Sequence, residues 1–289
     1  MNCPLCGSNA TFVFHNAVWR RPDATVRRCE VCNLAFIHPM MTEDEEERFY
    51  RNYNEHVKAR GVVTQGTPEE LHHKSVVLAR ERLSVVRHFF KGVSRVLEIG
   101  SSTGAFIELI ANVGVDCCAV EPDDANREYC TRFASEVYPD ISHVPSDMSF
   151  DVICMFHVFE HIRNPLSMLD RCRMNLRAGG RVLVEVPNIE DPLISLYDCK
   201  AFKDFYFQPM HPYIYSPASL GRVFEKAGFR VLENILYQRY GIDNHLTWLS
   251  KGRPGGDEHL KGIFGGAIEY KESLMRAGKT DTLFLLAVS

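Results

Sequence analysis

Beyond residue 93 the chain alternates apolar runs of strand length with segments of helical period, each junction marked by glycine, proline or a capping residue. Successive strands joined through helices run parallel, because a tight hairpin joins only antiparallel neighbours. The pattern therefore commits this region to a sheet covered by helices on both faces. Residues 95–99 form the first strand, 105–113 a helix closed by Gly114, and 115–120 the second strand. Pro122 opens the next helix, 135–138 is a short third strand and 151–156 the fourth. Pro165 stands in the first turn of a helix that runs to Gly179 and Gly180, before a fifth strand at 181–186. A helix at 216–227 is capped by Gly228, and strands at 229–236 and 283–288 complete the series. With 289 residues, 45% of them hydrophobic, the chain can bury one such α/β domain and a small appendage.

The first forty residues have a different character. Four of the ten cysteines form two C-x-x-C pairs, Cys3 with Cys6 and Cys29 with Cys32, separated by 22 residues. The other six are scattered, several inside apolar runs, as suits a reducing compartment. Each pair can fold into a tight knuckle, with Gly7 and Asn33 suited to the left-handed turn that follows. Four soft thiolates in tetrahedral array select zinc and leave no position open, so the ion is expected to be structural. Short strands are expected at 10–15 and 26–28, giving a zinc ribbon over residues 1–40 that is too small to bury a core without its metal. The competing reading, a redox dithiol, normally needs only one C-x-x-C beside a βαβ pattern.

Residues 41–91 read as a helical connector and lid. A helix begins at Thr42 and runs to residue 53 with acids in its first turn, residues 55–67 form a polar connector, and a second helix covers 68–90. The formal net charge of -4 gives no overall basic field for nucleic acid or an anionic membrane, although His15, Arg20, Arg21, Arg27 and Arg28 make the ribbon locally basic. No apolar run approaches the length of a membrane span, and the start Met-Asn-Cys-Pro lacks a charged-then-apolar signal segment. A cytoplasmic protein is expected; the oligomeric state is not legible.

The turn after the first strand reads Glu98-Ile99-Gly100-Ser101-Ser102-Thr103-Gly104-Ala105. Small residues there let the backbone approach a ligand, and the following helix offers free N–H groups. Forcing it onto the dinucleotide fingerprint requires Ser102 and Ala105 in place of two glycines. Glu121, ending the second strand 21 residues beyond Gly100, is placed to accept hydrogen bonds from both hydroxyls of a ribose. The ligand is thus a nucleoside, either NAD or S-adenosylmethionine. Glu98 favours the latter, because a carboxylate before the loop can hold an amino acid's ammonium but opposes a pyrophosphate. The fourth strand then runs into Phe156-His157-Val158-Phe159-Glu160-His161-Ile162.

With VLEIGSSTG and FDVICMFHVFEHI, residues 92–289 resemble the class I S-adenosylmethionine-dependent methyltransferases. The resemblance implies a Rossmann-like seven-stranded sheet whose last strand is antiparallel. It implies that Glu98, Gly100, Ser102 and Gly104 surround the methionine end of the cofactor, that Glu121 holds the ribose and Pro122 flanks the adenosine, and that Asp140 and Ile141 lie beside the adenine. His157 would lie near the sulfonium or the acceptor. The N-terminal cysteine module, together with F-Y-R-N-Y, Q-P-M-H-P-Y-I-Y-S and RYGIDNHLTWLSKGRPGG, resembles bacterial methyltransferases of deoxysugar and surface-polysaccharide pathways. Sugar C-methyltransferases of that type usually carry a further C-terminal domain, for which these 289 residues have no room, so transfer to oxygen or nitrogen is expected rather than to carbon. A sugar hydroxyl must lose a proton, and His161 and His211 are the candidate bases, with Tyr213 and Tyr215 able to orient the acceptor. Segments at 42–80 and 241–266 are expected to close over it. His157 and His161 at i, i+4 resemble a metal pair, but the zincin pattern wants Glu beside the first histidine, whereas Glu160 precedes the second. Two other readings stay open: an RNA methyltransferase that uses the ribbon to bind RNA, and an inert methyltransferase fold serving as an adaptor.

Overall fold

The computed structural model describes residues 1–51 and 66–289. The expected connector at 55–67 therefore falls, but for its last two residues, outside the described residues, as does the end of the helix expected to reach residue 53. In chain order the elements are β1 (Thr11–His15), β2 (Thr25–Cys29), β3 (Ala35–His38), α1 (Glu43–Arg51), α2 (Pro68–Val86), β4 (Arg95–Ile99), α3 (Ala105–Ala111), β5 (Asp116–Val120), α4 (Asp124–Cys130) and β6 (Glu136–Tyr138). They continue with β7 (Phe150–Phe156), α5 (Pro165–Met174), β8 (Leu176–Pro187), α6 (Pro192–Ser195), α7 (Lys200–Tyr206), β9 (Tyr213–Ile214), α8 (Pro217–Lys226), β10 (Arg230–Tyr237), α9 (Ile242–Lys251), α10 (Glu258–Phe264), α11 (Ile268–Arg276) and β11 (Thr282–Val288).

Seven strands form the main sheet in the order β10-β11-β8-β7-β4-β5-β6. Every neighbouring pair is parallel except the two made by β11, which runs antiparallel between β8 and β10. The alternation of each strand splits its side chains between two cores. Leu97, Ile153, Val184 and Leu285 face α5 and α8 with Leu169 and Phe224. Val96, Val152, Leu183 and Phe284 face α2 and α3 with Ala79, Phe106 and Ile107. Each such side chain contributes about 1.5–3 kcal/mol on removal from water, which is why the central strands read as unbroken apolar runs.

Several boundaries differ from the sequence-based expectation, among them the end of the helix expected at 68–90, which stops at Val86, and that of 105–113, which stops at Ala111; two others have a visible cause. The helix opened by Pro165 ends at Met174, not at Gly179 and Gly180, because Asn175 turns out of it and donates its side-chain amide to the carbonyls of Pro145 and Met148. Residues 177–180 then loop out of the ladder, whose pairs pass from Phe150 with Leu176 to Val152 with Arg181. The helix expected from Pro122 starts at Asp124, since the Asp123 carboxylate caps it by accepting from the Asn126 N–H at 2.9 Å.

The ribbon strands pair antiparallel, and β3, absent from the sequence reading, pairs in turn with β9 from the distant segment before α8. Cys3, Cys29, Cys32, Leu34 and Phe36 are buried in the same cluster as the sheet's α5 and α8 face. Among the described residues, no helix is long and apolar enough to cross a membrane.

Candidate active site

At the carboxyl end of β4, Glu98 is only 4% exposed, and its Oε2 has no hydrogen-bond partner among the described residues. Burial pushes its carboxyl up to about 8, the Arg82 guanidinium offsets only part of the rise, and Glu121 adds to it. The loop that follows is fastened to β5 by the Gly100 and Ser101 N–H groups, both donating to the Val120 carbonyl. Gly100, Ser102 and Gly104 all have positive φ, Ser102 at +50°. The two glycines are required by packing: a Cβ at Gly100 would meet Val158 at 2.3 Å, and one at Gly104 would meet the Cys130 sulfur at 2.7 Å.

Glu121, buried at the end of β5, closes this loop. Its Oε2 accepts from the Ser102 N–H at 2.7 Å and its Oε1 from the Asp123 N–H at 2.9 Å, leaving lone pairs on both oxygens. Burial raises its pKa despite those two bonds. The Glu121 N–H donates to Tyr138 at the end of β6, after which Asp140 accepts from the Ser142 N–H and Ile141 packs against the core. Pro122 is exposed, its carbonyl held by Arg127. Glu98, residues 100–104, Glu121, Asp140 and His157 thus all follow carboxyl ends of parallel strands, where open α/β sheets bind ligands. The orphaned carboxylate oxygen of Glu98 and the spare acceptor capacity of Glu121 suit an ammonium and a diol respectively.

Beside this edge opens a cleft of about 890 Å³. Val158, which packs over Gly100, leads from one to the other. His157 has φ +56° and lies at the centre of a buried charge cluster. Its Nδ1 is 3.3 Å from Glu160 Oε1, and its Nε2 is 3.2 Å from Glu185 Oε1 and 3.0 Å from an Arg239 amine. Nε2 can carry a proton toward Glu185 or accept one from Arg239, not both. Burial opposes the imidazolium, but the Glu185 and Glu160 carboxylates outweigh it and hold His157 above its ordinary range. Glu185 is itself held well below the carboxylate range: His157, Arg82 and Arg239 overcome its burial, and Arg82 bonds it directly. Arg239 is further tied to Asp281, whose carboxylate accepts the Arg239 and Tyr240 N–H groups.

His161 and His211 face each other in the cleft wall, ring centroids 4.5 Å apart and edge to face. Burial lowers the pKa of His161 further than Glu160 and the Met210 backbone raise it, so at neutral pH the ring is mainly the neutral imidazole. Phe202, Phe205, Tyr206 and Trp248 form an aromatic wall, with Phe202 and Phe205 each 5.1 Å from the Trp248 ring. The Tyr206 hydroxyl is buried there without a partner. Burial, reinforced by Asp281, pushes Asp191 up to about 8 in the same cleft. Tyr213 donates to the Arg163 carbonyl and Tyr215 is fully buried, so neither lines this cleft.

At the ribbon, the Cys3 and Cys32 sulfurs are 3.5 Å apart, the Cys6 and Cys29 sulfurs 3.6 Å, and all four lie within 4.8 Å of one another without a disulfide. Tetrahedral coordination at the zinc–sulfur distance requires about 3.8 Å. The four residues can therefore hold one ion with little movement.

The structure gathers Glu98, Gly100, Ser102, Gly104 and Glu121 around the loop after β4, and sets His157, His161 and His211 along the cleft. Sequence reasoning missed Glu185, Arg82, Arg239 and Asp281. Glu185 had a readable signal, a lone acid inside the apolar strand V-L-V-E-V.

A methyltransferase-domain family model matches residues 71–234, more than half of the chain. A Mycolicibacterium smegmatis protein named "Probable S-adenosylmethionine-dependent methyltransferase" is 28% identical over 144 residues, covering 48% of this chain and 53% of the relative. A Caulobacter vibrioides ubiquinone biosynthesis O-methyltransferase is 29% identical over 121 residues, covering 38% and 48%. The chain thus spans about half the length of these curated relatives. A crystal structure of a SAM-dependent methyltransferase from Archaeoglobus fulgidus superposes with a TM-score of 0.52 at 22% identity, over 74% of this chain and 94% of the other, and supports the fold. Family match and sheet order agree: the chain belongs to the methyltransferase-domain family.

Proposed function

We propose that this enzyme methylates a hydroxyl of a sugar-containing small molecule, nucleotide-linked or destined for a glycan, and that its ribbon is closed by one structural zinc on Cys3, Cys6, Cys29 and Cys32. The observation that carries the acceptor reading is the cleft, which sets two histidines beside an aromatic wall and a polar rim that includes Gln208, Asn244 and Lys271. Sugars present exactly such mixed faces: C–H surfaces for aromatic rings, and hydroxyls for amides and charged groups. A phenolic hydroxyl is the second reading, favoured by the same aromatic wall and by the names of the ubiquinone biosynthesis O-methyltransferase relatives. An RNA acceptor has less support. In the ribbon Arg21 pairs with Asp23, Arg28 with Glu190 and His15 with Asp204, while Arg27 bonds Thr11, so much of the basic patch is neutralised within the chain.

S-adenosylmethionine supplies an electrophilic methyl group on sulfur. The chain's own residues hold the acceptor oxygen in line with it and remove its proton. Glu98 would receive the ammonium of the methionine end, Glu121 the ribose hydroxyls, and Gly100, Ser102 and Gly104 the intervening backbone. Pro122, Asp140 and Ile141 would border the adenosine. His161 or His211 takes the hydroxyl proton, and His157, locked between Glu160 and Glu185, orients the turn that carries His161. Transfer assays with nucleotide sugars, simple catechols and unmodified RNA decide the acceptor. Methylation of a nucleotide sugar is expected; turnover with only the catechol or only the RNA replaces the sugar reading.

The cofactor assignment has its own calorimetric test. Glu121→Ala should weaken binding of the demethylated product by about 1.5–3 kcal/mol, through loss of charge-assisted ribose contacts. Glu98, held at about 8, is mostly protonated at pH 7 in the free protein. An ammonium beside it favours the carboxylate, so binding should release a proton and tighten as pH rises toward 8. Glu98→Gln should abolish that proton release. Binding that is independent of pH between 6 and 8, or equal in Glu121→Ala and parent, would remove these two residues from the cofactor site.

A further inference from the structure

We propose that Glu160, His161 and His211 form a divalent-cation site in the acceptor cleft, separate from the cysteine cluster. One donor atom from each of the three residues lies within 4.8 Å of the others. Around a bound first-row cation such donors sit about 3–3.5 Å apart, a difference that small side-chain rotations close. Two segments supply the ligands: Glu160 and His161 share the turn after β7, and His211 precedes β9, so the site would join the sheet edge to the chain leading into the ribbon's fourth strand.

Glu160 provides an independent indication. It is 2% exposed, one of its oxygens is 3.3 Å from His157 Nδ1, and the other, Oε2, is buried with no hydrogen-bond partner among the described residues. Leaving a buried carboxylate oxygen unmatched is costly unless something else takes the charge. Arg82 bonds Glu185 and Arg239 contacts His157 and Asp281, and Glu160 Oε2 receives a hydrogen bond from neither. A cation on Oε2 would complete Glu160, with His157 holding the other oxygen as outer-shell partners of metal sites do.

Two imidazoles and one carboxylate, with the cleft on the open side, suit zinc, manganese, iron(II) or cobalt, and contrast with the all-thiolate ribbon. A hydroxyl oxygen entering the open position would be oriented and acidified by the ion, which then replaces the imidazole base, because ligated His161 and His211 no longer accept a proton. That use rests on the hydroxyl reading above; the existence of the site does not.

The test is titration of cobalt(II) into full-length protein whose ribbon is loaded with zinc, followed by calorimetry and visible absorption. One further equivalent is expected, with d–d bands and without thiolate charge transfer. Glu160→Gln and His211→Asn should each weaken it about tenfold or more, whereas His143→Asn, at an exposed position, should not. Paramagnetic broadening of the His161 and His211 ring signals in the parent protein provides a readout that needs no variant to fold. No second equivalent, thiolate charge transfer accompanying it, or unbroadened histidine signals would overturn the proposal. Because none of these readouts uses an acceptor, inactivity toward sugars would overturn the acceptor reading and leave the cation result standing.

Discussion

Replacing Cys29 and Cys32 together by serine should strip the bound zinc from one equivalent to near zero and unfold the ribbon. A structural zinc supplies on the order of 10–16 kcal/mol of apparent binding energy in small domains at neutral pH, and that energy is folding energy wherever the apo segment cannot bury a core. Here the segment is not isolated. Cys3, Cys29, Cys32, Leu34 and Phe36 share a buried cluster with α5 and α8, β3 pairs with β9, and Lys226 donates to the Leu5 carbonyl. The damage should therefore spread from residues 1–40 to the segment around residues 207–216. Elemental analysis and limited proteolysis with mass mapping are the measurements, and a chelator applied to the parent should give the same cleavage pattern. A double variant that retains its metal, or that loses it and keeps the parental protease resistance, would show that the four thiolates do not hold the ribbon together.

What the sequence disclosed follows from how local each signal is. The strand-loop-helix of residues 95–111 and the acid ending β5 are set by short-range chemistry: glycines at positive φ, a capped helix and a charge stopping an apolar run. The contact of Glu121 with the Ser102 N–H was not legible, since a loop backbone conformation decides it, but its place at the end of β5 was, from spacing. The cysteine cluster was legible for the same reason, since two knuckles and one tetrahedral ion leave little freedom. The strand at Ala35–His38 was not, because its second partner is a two-residue strand nearly 180 residues away, too short to carry a period. The charge cluster was equally hidden. Glu185 announces itself inside β8, but its partners Arg82, His157 and Arg239 come from α2, the turn after β7 and the loop after β10, and no spacing rule connects them. The site is thus half encoded in motifs and half assembled by topology, and the assembled half faces the acceptor, where related enzymes on one fold must differ.

The largest kinetic effect should come from the two facing histidines. Ala substitution at His161 or His211, whichever serves as base, should leave cofactor binding at the parental level and lower turnover about 10²- to 10⁴-fold, because proton removal is lost while the cofactor loop, built from β4 and β5, is untouched. The pH profile separates the two rings. Burial places His161 below the ordinary histidine value, so a rate limited by its free-base form should rise with pH with a midpoint below that value. A midpoint above the ordinary histidine value excludes His161 as the titrating base. Gln substitution at His157 gives a contrasting result: that ring is bound by Glu160, Glu185 and Arg239, so its loss should shift the pH midpoint and impair acceptor positioning rather than remove the base itself. If both single Ala variants keep near-parental turnover on the true acceptor, histidine catalysis is wrong. Positioning alone would then account for the rate, which suffices for an amine already nucleophilic near neutral pH but not for a sugar hydroxyl, and amines become the acceptors to assay.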